Sequence, residues 1–219
     1  MKIVDVGGGF QSDRTDCIDQ VSKLINAALE ELFPYPDIQI ISEPGRYLCD
    51  SAFTMYCSIN NVRKTLMNGI PRNMIYLNDG YHGCLKRIEK WHTVNKFKRS
   101  TDKIVGELEE VTLWGPTCDS DDRVMKNFTV LLPRCIPHDW IIFRGVGAYT
   151  ISFSTRFSRL EIPLIRSVVS QELWLSIKDM GILKPDDFLI NPDTRSPLPV
   201  TIPPVLLRTL IEHTHIPTL

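Results

Sequence analysis

The sequence lacks the marks of several protein classes. Its six cysteines (positions 17, 49, 57, 84, 118 and 135) form no CxxC pair and no regular framework. That argues against a disulfide scaffold or a cysteine-based zinc ribbon, and for reduced thiols in a cytoplasmic setting. No apolar run approaches the roughly 20 residues that a membrane-spanning helix requires. The first ten residues, MKIVDVGGGF, have no long apolar core and run into a glycine turn, so they do not read as a signal peptide. Charge of neither sign is in excess: 25 Lys and Arg stand against 26 Asp and Glu. A net charge of −1 gives no general electrostatic reason to bind nucleic acid or an anionic membrane. No internal repeat is visible. What is present is an ordinary globular chain of 219 residues, long enough for one large domain or two small ones.

Along the chain, Lys2 to Val6 reads as a short buried strand ending in Gly7-Gly8-Gly9. From Thr15 to Phe33 apolar residues recur at Ile18, Val21, Leu24, Ile25, Leu29 and Leu32, the stripe of an amphipathic helix that Pro34 and Pro36 end. Ile38 to Ile41 is a second short buried strand, closing on Ser42-Glu43-Pro44-Gly45-Arg46. Strand, glycine turn, helix and strand make one βαβ unit, and such units imply a parallel sheet or barrel. After Tyr47 short β-rich runs (52–62, 74–77, 104–113, 128–132, 139–143, 148–154 and 163–169) alternate with turn residues, as in an antiparallel sandwich or barrel. The first of these, Ala52–Leu66, also fits a helix. Beyond Ser176 the chain is proline-rich, with one short helix expected at 204–213. Lys86 to Lys103 is locally basic, with Trp91 and Phe97 interleaved, and reads as a solvated loop rather than a nucleic-acid surface.

A few residues are candidates for chemistry. Three glycines between a strand and a helix let backbone N–H groups approach an anion such as phosphate, or simply make a tight turn. In a parallel barrel the Glu43–Arg46 turn lies on the same rim, where Arg46 and the Gly45 N–H suit a phosphate. Glu43 is expected to be partly buried and in need of a cationic partner; a structural Glu43–Arg46 ion pair is the alternative. In Trp114-Gly115-Pro116-Thr117-Cys118-Asp119, a Gly-Pro turn presents Cys118 beside an acid, whereas the other cysteines read as inert filler. Asp121 and Asp122 read as solvated carboxylates, with no metal site implied. Asn78-Asp79-Gly80 reads as turn chemistry. Gly147-Ala148-Tyr149-Thr150 sets a tyrosine between a turn and a strand, and Phe157 is either core or pocket wall.

In combination these segments resemble the ornithine/diaminopimelate/arginine decarboxylase family, most closely its eukaryotic ornithine decarboxylase branch, over roughly residues 1–170. The resemblance implies an α/β plus all-β fold: the end of a pyridoxal-phosphate-binding (β/α)₈ TIM barrel (1–47), a C-terminal antiparallel β-sandwich or barrel domain (48–175) and a proline-rich tail (176–219). It implies pyridoxal 5'-phosphate as cofactor, its phosphate held by Gly7, Gly8, Gly9, Gly45, Arg46 and Tyr149, its pyridinium nitrogen by Glu43. Cys118 then reprotonates the substrate carbon across a homodimer interface, Asp119 binds the distal amine of ornithine, and Phe157 lies near that contact. Two departures accompany the matches. The family's Schiff-base lysine belongs to a barrel strand upstream of Met1, so this chain alone is expected to be inactive. Lys90-Trp91 stands where the family has a Tyr-Asp pair, and His82 where it has a tyrosine. The implied activity is polyamine biosynthesis by decarboxylation of ornithine or a related basic amino acid. The alternative is an inactive paralogue that regulates by heterodimerising with a full-length decarboxylase, as antizyme inhibitors do.

Overall fold

A computed structural model of the chain describes residues 1–11, 15–67, 69–88, 92–97, 106–180 and 189–191. The first unit is β1 (Ile3–Asp5), α1 (Thr15–Leu32) and β2 (Gln39–Ile41), with β1 and β2 parallel and in register from Ile3↔Gln39 to Asp5↔Ile41. The expected βαβ unit is therefore present. Its strands are not buried as expected: Ile3, Ile40 and Ile41 are exposed, as are Leu24 and Leu32 of the helix. A two-stranded ribbon has apolar residues on both faces, and one helix covers only one of them.

A short helix, α2 (Gly45–Cys49), runs into a 3₁₀ turn at Asp50–Ala52 and leads to the second unit. That unit is a curled sheet built from β3 (Thr54–Met67), β4 (Ile70–Leu77), β5 (Thr93–Lys96), β6 (Leu108–Trp114), β7 (Arg123–Val124), β8 (Val130–Pro133) and β9 (Trp140–Arg144). The order is β5-β9-β3-β4-β6-β7, with β8 also paired to β6. Every pairing is antiparallel except β4 with β6. The long β3, which Ala52–Leu66 left open between strand and helix, pairs first with β9 and then with β4, and a register shift between Ile59 and Asn61 marks the bend. Such bulges add twist and turn a sheet back on itself. At the far side Lys96 of β5 donates to the Arg134 carbonyl just after β8 (2.9 Å) and pairs with Asp139 (2.7 Å), drawing the two ends of the sheet together.

The core lies inside this curl. Met55, Cys57, Ile59, Ile75, Leu77, Leu85, Leu113, Leu132, Ile141 and Phe143 pack there, the period-2 alternation of strands with one dry face. On the outer face Tyr56 and Ile142 are covered by Val168, with Phe97 edge-on to Tyr56. Two expected strands differ. Residues 148–154 form a 3₁₀ turn at Ile151–Phe153. Of 163–169 only the part in β10 (Val168–Ser170) belongs to a paired strand, which runs parallel to β11 (Leu189–Asn191) and is connected to it through α3 (Gln171–Ile177). So part of the stretch read as a loose tail is a strand. The helix expected at 204–213 lies outside the described residues.

Candidate functional site

Two clusters bring the candidate residues together, one at the seam between the units and one on the sheet's loops. At the seam, β1 and β2 both end in turns on the same edge, because they are parallel. The Glu43 N–H donates to the Gly7 carbonyl (2.8 Å), stitching the turns together. Gly7 and Gly9 have φ of +70° and +82°, which favours glycine, and a Cβ at Gly8 would run into the Glu43 carbonyl oxygen. The glycine run is thus required by the turn itself.

The N–H groups divide. Gly7 donates to Asp5 Oδ1 (2.8 Å) and Gly45 to the Glu43 carbonyl (2.8 Å), whereas Gly8 and Gly9 donate to no group among the described residues. Space beside the α-carbons of Gly7, Gly9 and Gly45 is open. Two N–H groups without a partner among the described residues, at an open turn, fit a phosphate. They fit it with fewer backbone donors than the glycine count suggested. Glu43 is exposed rather than partly buried. Within this chain its carboxylate does not need the cationic partner that burial would demand.

Arg46 lies in the first turn of α2, with its guanidinium carbon 5.1 Å from the Tyr149 ring centroid, a cation–π contact. Tyr149 is left-handed (φ +58°), and its ring also stacks on Phe153 (5.3 Å). Asp50, buried and not singled out in the sequence, accepts the Ala148 N–H on Oδ1 (2.8 Å). Its backbone carbonyl takes the Gly147 N–H (3.1 Å).

The second cluster surrounds Cys118 and Asp119. Cys118 is exposed, as its Gly-Pro turn predicted. Asp119 Oδ1 accepts the Asp121 N–H (2.9 Å) and Oδ2 meets His82 Nε2 (2.8 Å). The Asp121 N–H, then His82, hold the Asp119 carboxyl below its usual range, so it stays ionised. The His82 ring stacks on Phe157 (4.3 Å between centroids, 30° between planes) and meets Tyr81 edge-on. Its carbonyl accepts both the N–H (3.1 Å) and the hydroxyl (2.8 Å) of Thr155. The segment from Tyr149 to Phe157 therefore touches both clusters. Lys90-Trp91 lies outside the described residues.

Beneath the loops are two buried carboxylates. Asp122 is fully buried, which corrects its reading as a solvated acid. Its Oδ2 accepts the Thr117 N–H (3.0 Å) and hydroxyl (2.6 Å), and its backbone carbonyl takes the Gly115 N–H (2.7 Å). The Gly-Pro-Thr turn that presents Cys118 and Asp119 is folded around this side chain. Asp121 is exposed and pairs with Lys126, as expected of a solvated acid. Asp79 accepts the N–H groups of Gly80 (2.6 Å) and Cys84 (2.9 Å), and burial pushes its carboxyl up to about 6 despite those bonds, with the nearby Asp122 charge adding to the rise. Neither Gly80 nor Gly115 has room for a Cβ against Asp122. The sequence signals for Asp122 and Asp50 were an Asp five residues after Thr117 and one four residues after Arg46, spacings too common to single out.

The fold is thus of the α/β plus all-β class, a βαβ unit followed by a curled sheet. Comparison with known proteins gives the family. Residues 1–50 match the model of the pyridoxal-dependent decarboxylase pyridoxal-binding domain, and residues 46–147 that of its C-terminal sheet domain. The chain belongs to the ornithine/diaminopimelate/arginine decarboxylase family of pyridoxal-dependent decarboxylases. It is 31% identical over 191 residues to ornithine decarboxylase of Caenorhabditis elegans, covering 82% of this chain and 44% of that protein. It is 33% identical over 198 residues to rat antizyme inhibitor 1, covering 83% and 43%. Among solved structures, lysine/ornithine decarboxylase from Vibrio vulnificus complexed with putrescine aligns at a TM-score of 0.57 and 31% identity, over 74% of this chain and 42% of that one. The chain thus spans less than half the length of these relatives. Family and neighbours imply pyridoxal phosphate as the cofactor. No helix among the described residues is long and apolar enough to cross a membrane.

Proposed function

We propose that this chain contributes to the active site of a pyridoxal-phosphate-dependent decarboxylase acting on ornithine or a related basic amino acid, in polyamine (putrescine) biosynthesis in the cytoplasm. The observation that carries the reading is the second cluster: an ionised Asp119 beside an exposed Cys118, on a loop folded over the buried Asp122. Asp119 supplies the negative charge that holds a distal ammonium group, and the Phe157–His82 stack walls that end of the pocket. Cys118 delivers a proton to the substrate carbon from which CO₂ departs. Gly8, Gly9, Arg46 and Tyr149 hold the cofactor phosphate, and Glu43 the ring nitrogen. Pyridoxal phosphate, when bound, supplies an electron sink for the negative charge left on that carbon. In the proposed dimer the Cys118–Asp119 loop serves the partner's cofactor site.

The test is complementation. The purified chain alone is expected to release no CO₂ from carboxyl-labelled ornithine and to give no absorbance of lysine-bound cofactor. Mixed with a full-length ornithine decarboxylase whose own loop cysteine is replaced by alanine, it is expected to restore CO₂ release, and the C118A chain is expected not to. No restoration by the wild-type chain refutes the proposal. The second reading, a regulatory partner, is favoured by the similarity to antizyme inhibitor 1. It predicts co-purification with the full-length subunit without restored activity, and failure to co-purify removes it.

A further inference from the structure

Gly45 to Ala52 is one continuous helical stretch, α2 followed by its 3₁₀ turn. Arg46 and Asp50 stand four residues apart on it, so they lie on one side. Arg46 meets the face of the Tyr149 ring. Asp50, 5% exposed, takes the backbone of the residues just before Tyr149: the Ala148 N–H on its carboxylate and the Gly147 N–H on its carbonyl. The Val146 N–H adds a bond to the Phe53 carbonyl (3.2 Å). Gly147 is pressed so closely on this stretch that a Cβ would run into the Cys49 carbonyl oxygen. These anchors hold Tyr149 in a left-handed conformation that a residue with a Cβ adopts at a cost. Without them the tyrosine would relax to an ordinary backbone region and its ring would leave Arg46.

We infer that Asp50 is a positioning residue: it locks the Gly147–Tyr149 turn onto α2, so that Arg46 of the α/β unit and Tyr149 of the sheet domain converge on a single anion. The anion is the cofactor phosphate if the proposed function holds, and the inference rests on that reading for the ligand though not for the clamp. What the Ala148 N–H needs from residue 50 is a side-chain acceptor oxygen. An asparagine keeps that oxygen; an alanine does not.

The test uses the full 219-residue chain. In its NMR spectrum the Arg46 side-chain methylene protons are expected to be shifted upfield by the Tyr149 ring, and Y149A supplies the unshifted position. D50N is expected to keep the shift and D50A to lose it, with the amide signals of the sheet core unchanged in both. Pyridoxal phosphate and inorganic phosphate, titrated against intrinsic fluorescence, are expected to bind D50N within about two-fold of wild type and D50A about ten-fold more weakly, the effect of one buried hydrogen bond. A retained shift in D50A overturns the clamp, as does its loss in D50N, which decides the matter even if D50A fails to fold. A shift that follows this pattern in a wild-type chain that binds neither probe overturns the phosphate assignment and leaves the clamp standing.

Discussion

The sheet and the βαβ unit both carry apolar residues and use them in opposite ways. In the sheet, β3 bends at its bulge, pairs with two partners and brings Phe143, Ile59, Leu77 and Leu113 into a dry interior. In the βαβ unit, Ile3, Ile40, Ile41 and Leu24 stay exposed. The difference is topological. A meandering sheet with mostly antiparallel neighbours can curl until its own ends meet, as Lys96 does with Arg134 and Asp139. A parallel pair with one crossover helix covers one face only and depends on further strands for the other. The candidate phosphate ligands sit where these two regimes join, with Arg46 supplied by one and Tyr149 by the other.

The contrast is broken most sharply by a core deletion. Phe143→Ala, at a site with no exposure, is expected to cost about 3–5 kcal/mol and to abolish the cooperative urea transition or shift it far down. An unchanged midpoint would mean that the sheet is not the stabilising unit. Next in size is a pH effect from the same core. The Asp79 carboxyl titrates at about 6 in the folded chain, against 3.8 for an ordinary aspartate. The unfolded state therefore binds fewer protons between those values, and stability falls as pH rises through that window. A rise of that size corresponds to about 3 kcal/mol at most. Asp79→Asn, which keeps the acceptor for Gly80 and Cys84, should flatten stability between about pH 4 and 6. A wild-type profile already flat there would contradict the burial of Asp79. Smaller again is Asp122→Ala, which leaves the Thr117 N–H and hydroxyl without their acceptor and is expected to cost about 1–3 kcal/mol. Faster alkylation of Cys118 in this variant would show the loop loosening, and an unaltered rate would show that Asp122 does not hold it.

Most of the architecture was legible because it rests on local rules. The α1 stripe and its closing prolines, the two strands of the βαβ unit and the runs of β6 and β9 declare their period, whereas β3 fits a helix as well as a strand. What was hidden depends on contacts distant in sequence. The run 148–154 looks like a strand, yet Asp50, some hundred residues earlier, captures the Ala148 N–H and diverts it into a left-handed turn. Asp122 follows a polar, acidic stretch that reads as solvated, and only the fold shows Thr117, Gly80 and Gly115 closing over it. Cys118 and Asp119 were legible from their turn and their resemblance. The role of His82 was not: it stood out only as a departure from a family pattern, until the fold set it between Asp119 and Phe157.

The smallest expected effect completes the comparison. Ile40→Thr and Leu48→Ala remove apolar surface that this chain leaves in water: Leu48 is 71% and Ile40 42% exposed. Hydrophobic stabilisation scales with area taken out of water, so each change should move stability by no more than about 0.5 kcal/mol. Each should also raise the protein concentration at which the chain begins to aggregate, because contiguous exposed apolar surface drives self-association. Destabilisation as large as that from Phe143→Ala would place these residues in a contact that the βαβ unit does not make within the chain. The same two variants, assayed in the complementation mixture, would then show whether a full-length subunit covers that surface.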